Sequence, residues 1–339
     1  MALKTGLITF QNANNYGAVL QAYALQTTLE NLGHEVSVIN YDSPKMELKR
    51  YQSSLFASFI SKYLNLTDAY YKSSDIDTKD YDIMITGSDQ VWNPIITEFD
   101  PTYFLNFVDS NTKKASYAAS VGINGDRLEE YREFFETNIR GMDFISLREK
   151  SQKRFVESIT DKNVSVNIDP TLLLEAGEYE KKFNVSRCVS DYIFMYSNNA
   201  DAKILDFVNL LSVYTGMPVI AVSRVKETLF VKDSRVFAQV RPEDWLEAIA
   251  SSAIVITDSF HGLMFSLIFE RPFYIYTKIR SNISRITDIL EKCNLSDRKL
   301  KDVVSADDVS FEVDFSTTRR FIREERGRSF DYLNKLTLN

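Results

Sequence analysis

IVITDSFHGLMFSLIF, residues 254–269, carries the clearest local pattern in the chain. Ile254 to Thr257 is a short apolar run rich in β-branched residues, which is how a buried strand reads. Phe260 to Phe269 is apolar and unbranched enough to form a buried helix. Between them stand Asp258, Ser259, His261 and Gly262. A strand therefore ends, a polar turn follows, and a helix opens with a histidine in its first turn. In an open α/β sheet, ligands bind outside the carboxyl ends of the strands. The free N–H groups and dipole of a helix start favour an anion there. His261 is one of only two histidines, which makes this turn the leading candidate site. The competing reading is an N-capped helix that carries a satisfied core histidine.

Working outward, the 339 residues exceed one typical core and predict two domains. A net charge of −7 argues against general nucleic-acid binding, which needs a basic footprint. Cys188 and Cys293 have no metal spacing and no CxxC partner, so a reducing compartment is expected, with no disulfide framework and no zinc site; a carboxylate-held magnesium stays open, with no motif behind it. The N-terminal MALKTGLITF lacks a cleavage-site pattern, and no uncharged apolar stretch reaches the length of a membrane span. The expected location is the cytoplasm. Contact with the inner face of the membrane stays open.

The chain before the central stretch alternates strand and helix. Leu3 to Phe10 reads as a first strand, followed by the hydrogen-bond-rich turn QNANNYGA. Ala18 to Leu32 has a helical period, with Gly33 as its C′ residue. His34 is expected as an exposed turn residue before the strand Glu35 to Tyr41. This opening lacks G-x-G-x-x-G, so no dinucleotide cofactor is indicated. Residues 43–80 read as an insertion or flap over the first domain. Tyr81 to Thr86 is a strand followed by GSDQVWNP. There Trp92 is placed to stack on a sugar face, with Asp89 and Gln90 placed to bond hydroxyls; a tryptophan tucked into the core is the alternative. Lys114 to Val121 and Phe144 to Leu147 are further strands. Arg148, at a strand's carboxyl end, is placed for a carboxylate or phosphate, or else for a salt bridge. Val164 to Ile168 gives one more strand.

The second half repeats the alternation, with strands at Tyr192 to Tyr196 and Pro218 to Val222 and a helix from Pro242 to Ser251. After the central stretch and the strand Pro272 to Tyr276 come Lys278, Arg280 and Arg285. They supply cations opposite His261, or form a solvated basic face. The tail from Ser316 reads as a charged amphipathic helix anchored by Phe321, Ile322, Phe330 and Leu333. The expected division is residues 1–175, residues 176–315, and a C-terminal helix, residues 316–339, packing back on the first domain.

Taken together, NYGAVLQAYAL, GSDQVWNP, SLREKS, NIDPTLLL, TDSFHGLMFSLIF and NISRITDIL resemble the polysaccharide pyruvyl transferase family, from about Phe10 to Arg298. The resemblance implies a GT-B-like α/β fold, two Rossmann-like domains facing each other across a cleft. It implies transfer of a pyruvyl group from phosphoenolpyruvate to a sugar, usually as a cyclic ketal. It also implies that His261 is the general acid and that Arg148 helps bind the donor. Many members carry an arginine two residues before the histidine; here that position is Ser259, as in an SFHG-type branch. Lys278, Arg280 or Arg285 are inferred to replace the missing cation, with Ser259 and Gly262 also at the donor. Asn15, Tyr16, Asp89, Gln90 and Trp92 are expected on the acceptor side.

The chemistry suits these residue types. Ketal formation needs a proton on the methylene carbon of phosphoenolpyruvate, attack of a sugar hydroxyl at C2, loss of phosphate and closure by a second hydroxyl. Bound anions favour a charged histidine, and arginines clamp carboxylate and phosphate. No metal or redox cofactor is called for; phosphoenolpyruvate is a co-substrate. Two rival readings are a GT-B glycosyltransferase using a nucleotide sugar and a non-enzymatic saccharide-binding protein. Acceptor sugar, lipid linkage and oligomeric state are not legible.

Overall fold

The computed structural model describes residues 2–44, 53–123, 125–198, 201–223, 229–230, 234–277, 280–300 and 309–337. Its contacts divide the chain into two compact units, Met1–Leu174 with Arg323–Asn339, and Glu175–Ile322.

The first unit opens with β1 (Lys4–Ile8), α1 (Tyr16–Asn31) and β2 (Glu35–Tyr41), followed by α2 (Ser54–Tyr63) and β3 (Leu66–Tyr70). It continues through β4 (Ile83–Thr86), β5 (Lys113–Ser116), α3 (Arg132–Ile139), β6 (Ile145–Leu147), α4 (Lys153–Glu157) and β7 (Val164–Val166). The main sheet runs β3-β2-β1-β4-β5 with every pairing parallel. The parallel pair β6–β7 is joined to it by the bridges Ala115↔Phe144 and Ala119↔Leu147. Such strands are buried on both faces, so they read as continuous apolar runs: IMIT in β4 is buried throughout.

Residues 43–80 are not simply a flap. Within them α2 and β3 form a strand-to-strand crossover that completes the sheet edge beside β2, while residues 45–52 lie outside the described residues. The strand expected over Lys114 to Val121 stops at Ser116, because Ala118 turns into the left-handed region at φ 47°. Gly33 does occupy the left-handed position after α1, at φ 90°.

His34 corrects its own expectation. It is buried, and its Nδ1 lies 2.7 Å from Thr5 Oγ1. Burial lowers its pKa from the ordinary 6.5. Above that value neither state carries the proton; below it the unfolded chain takes up a proton that the folded chain resists, so stability falls. Urea midpoints followed from about pH 8 to about pH 5 should drop in the wild type, and drop less in His34→Gln.

The second unit holds α5 (Ala176–Phe183), β8 (Ile193–Tyr196), α6 (Ala202–Thr215), β9 (Val219–Val222) and β10 (Arg235–Phe237). It then runs through α7 (Pro242–Ala250), β11 (Ile254–Thr257), α8 (Phe260–Ile268), β12 (Phe273–Ile275) and α9 (Arg280–Lys292). Its sheet runs β10-β9-β8-β11-β12, again all parallel. Counted from its own first strand, this is the same 3-2-1-4-5 order as in the first unit. Each unit is thus a Rossmann-like half with its switch point between strands one and four, β1/β4 and β8/β11.

A last helix, α10 (Ser316–Thr337), belongs to the second unit through Ile322 and to the first from Arg323. In the first unit Ser329 Oγ accepts from Asn167 Nδ2 at 3.2 Å, Tyr332 Oη donates to the Ser116 carbonyl at 2.7 Å, and Arg326 donates to the carbonyls of Leu172 and Leu174. Among the described residues, no helix is long and apolar enough to cross a membrane.

Candidate active site

The second unit builds its site at the switch point. β11 is buried along its whole length, and Thr257 at its end ties two strands together. Its Oγ1 donates to the Tyr196 carbonyl of β8 at 2.7 Å and accepts from the Ser259 N–H at 3.1 Å. Asp258 spans the same gap, accepting from Ser197 Oγ at 2.8 Å and from the Asn198 N–H at 2.9 Å. Sequence reasoning placed Asp258 in this turn but gave it no role, and it passed over Ser197, although the first residue after each strand of such a sheet is the place to look.

Ser259 is the N-cap of α8, its Oγ accepting from the Gly262 N–H at 3.3 Å. That bond uses the Gly262 N–H and one lone pair of the Ser259 hydroxyl, whose O–H can still donate. Gly262 is required by packing. A Cβ there would stand 2.4 Å from Thr257 Oγ1 and 3.1 Å from Thr257 Cβ. Gly262→Ala should destabilise by about 1–3 kcal/mol through overpacking. Urea unfolding checks this, and Thr257→Ala in the same chain should recover part of the loss.

His261 then falls in the first turn of α8 with 8% of its surface exposed. Its ring meets that of Phe260 nearly at right angles, centroids 5.1 Å apart. The Arg285 guanidinium carbon lies 5.2 Å from the Phe260 ring centroid, within cation–π range. Of the three cations expected opposite His261, Arg285, from α9, is the one seen against the ring of the neighbouring Phe260. Lys278 lies outside the described residues, as does the side chain of Arg280.

In the first unit, motifs far apart in sequence converge beyond β4, β5, β6 and β7. Arg148 is at their centre with 4% of its side chain exposed. It donates from Nη1 to Asp169 Oδ2 at 2.9 Å and from Nε to Glu149 Oε1 at 3.2 Å, and its Nη2 is 4.0 Å from Asp89 Oδ1. Burial acts to lower the Arg148 pKa, but the charges of Glu149, Asp169 and Asp89 outweigh it and the net shift is upward. Ser120 Oγ donates to Glu149, and Thr171 donates to Asp169 through both its N–H and Oγ1. The Arg148 guanidinium is the counter-ion of a carboxylate cluster, and these contacts compete with the donor role that the resemblance implies.

The acceptor-side expectations divide. Trp92 is fully buried, donates from Nε1 to the Tyr103 carbonyl at 2.9 Å and stacks on Phe104 at 5.0 Å. It offers no face to a sugar. Tyr16 is likewise buried, its ring 5.0 Å from that of Phe56. Asn15 caps α1 by accepting from the Ala18 N–H at 3.1 Å, and remains half-buried. Asp89 sits in the left-handed region at φ 74° with 17% of its side chain exposed. Gln90 is half-buried and accepts from Asn93 Nδ2 at 2.9 Å. Asn15, Asp89 and Gln90 thus follow the two strands that flank the first unit's switch point.

Two Rossmann-like units of one strand order define a protein of the GT-B fold class, and solved structures bear this out. A Listeria monocytogenes protein assigned as a UDP-N-acetylglucosamine 2-epimerase is similar with a TM-score of 0.57 at 9% identity, over 98% of this chain and 88% of that one. UGT89C1 of Arabidopsis thaliana, solved with quercetin, gives 0.54 at 10% identity over 99% and 98%. The UDP-GlcNAc 2-epimerase of Methanocaldococcus jannaschii, solved with UDP-GlcNAc and UDP, gives 0.54 at 12% identity over 96% and 94%. No curated protein matches the chain. The polysaccharide pyruvyl transferase family model matches residues 15–277, and the chain belongs to that family.

Proposed function

We propose that the chain transfers the pyruvyl group of phosphoenolpyruvate to a sugar of a saccharide, forming a cyclic ketal, in the synthesis of a surface or capsular polymer. The observation that carries this reading is the placement of His261 in the first turn of α8, with the Arg285 guanidinium on the neighbouring Phe260 ring. His261 protonates the methylene carbon, which becomes a methyl group, and positive charge develops at C2. One sugar hydroxyl attacks C2, phosphate departs, and a second hydroxyl closes the ring. Arg285 binds the donor's anionic groups, a task suited to a guanidinium. Lys278 and Arg280 remain candidates for the same task. Asn15, Asp89 and Gln90 remain the candidates for acceptor hydroxyls, and a lipid carrier on the acceptor belongs to the proposal too.

Titration calorimetry with phosphoenolpyruvate and with UDP tests the donor. Phosphoenolpyruvate should bind, and Arg285→Ala should weaken it by roughly 10–150-fold, the loss of a charge-assisted contact. Binding of UDP with no response to phosphoenolpyruvate would favour a nucleotide-sugar glycosyltransferase and overturn the proposal.

A further inference from the structure

The two groups assigned to the donor are not independent of each other. Phe260 touches both: its ring lies under the Arg285 guanidinium at 5.2 Å and meets the His261 ring at 5.1 Å and 85°. All three side chains are at least nine-tenths buried. A guanidinium taken out of water needs compensating contacts, and the negative face of an aromatic ring provides one. A perpendicular ring pair is likewise a preferred aromatic geometry. The backbone beneath Phe260 is fixed as well, since Ser259 caps the helix and Gly262 packs on Thr257. A ring on so rigid a base holds its two neighbours in a set relation.

We propose that Phe260 is a positioning residue that fixes the Arg285 guanidinium and the His261 imidazole relative to one another, so that the cation receiving the donor's anion and the proton-delivering group are set as one unit. This rests on the reading that His261 and Arg285 serve the donor. A side chain whose part is only to fill space would do so through its volume. Phe260 instead acts through the charge distribution of its ring, and that difference can be measured.

Phe260 is replaced by mono-, di- and trifluorinated phenylalanine, which nearly preserve shape while draining the ring's negative face, and by Leu, which removes the ring. Affinity for inorganic phosphate, KM and kcat for phosphoenolpyruvate, and the urea midpoint are measured for each. Phosphate affinity should weaken stepwise with fluorination, reaching roughly 5–30-fold in the trifluoro form, with KM rising in parallel and the midpoint nearly constant. The Leu form should match or exceed the trifluoro loss. In Arg285→Lys the dependence on fluorination should flatten, because the stacked planar group is gone. A flat series in the Arg285 protein, with phosphate still bound, would overturn the role of Phe260. Graded phosphate affinity in a protein that never turns over phosphoenolpyruvate would instead overturn the donor reading and leave the Phe260–Arg285 coupling standing. No phosphate binding and no turnover would overturn both.

Discussion

His261→Ala is expected to lower the turnover of phosphoenolpyruvate by roughly 10²–10⁴-fold at saturating donor, the usual contribution of a positioned general acid. The fold should survive. The apolar side of α8 is held by Leu263, Met264, Phe265 and Leu267, all buried, and alanine is a better helix former than histidine. Because Arg285 approaches from α9, donor affinity should change far less than kcat. Steady-state kinetics resolve the two, since a group acting only in the transition state lowers kcat and kcat/KM together. Near-normal kcat in a folded, saturated His261→Ala protein would remove His261 from the chemistry.

Arg148→Met should act on stability instead. The substitution leaves Asp169, Glu149 and Asp89 facing one another around a site that has lost its cation. Removing one partner of a buried ion cluster costs about 3–5 kcal/mol, because the remaining charges are stranded away from water. That is a large part of the stability of an ordinary domain. The loss should shrink as pH falls, since protonation neutralises the stranded carboxylates, whereas no such recovery is expected in the wild type. Urea unfolding at several pH values checks both size and sign. Wild-type stability in Arg148→Met, with donor affinity reduced, would place Arg148 at the donor site.

What could be read from the sequence followed from local rules. Residues 254–269 were legible because a β-branched run, a capping serine and an unbranched apolar run each have a distinct local signature, and the structure places β11 and α8 on them. β3 was not, because LTDAY is an edge strand with no fully buried residue, so it carries neither an apolar run nor clean alternation. His34 and Trp92 were misjudged for one shared reason. Each lies in a turn-like segment, where sequence cannot tell an exposed side chain from one folded back under the sheet. Arg148 stands at a strand's carboxyl end as expected, yet its partners Asp89 and Asp169 lie far from it in sequence, and only the parallel sheet brings them together. The likeness of motifs pointed to the family; the contact of Arg285 with Phe260 needed three dimensions.

The most direct test of the account is the mass of the acceptor. The protein is incubated with phosphoenolpyruvate and a panel of saccharides containing galactose, glucose, mannose or N-acetylmannosamine, free and lipid-linked, and the products are weighed by mass spectrometry while phosphate is assayed. A ketal pyruvyltransferase should add one pyruvate less one water to an acceptor, release one phosphate for each addition, and lose both on His261→Ala. Phosphate release without gain of mass, or a glycosyl gain that requires a nucleotide sugar in place of phosphoenolpyruvate, would contradict it.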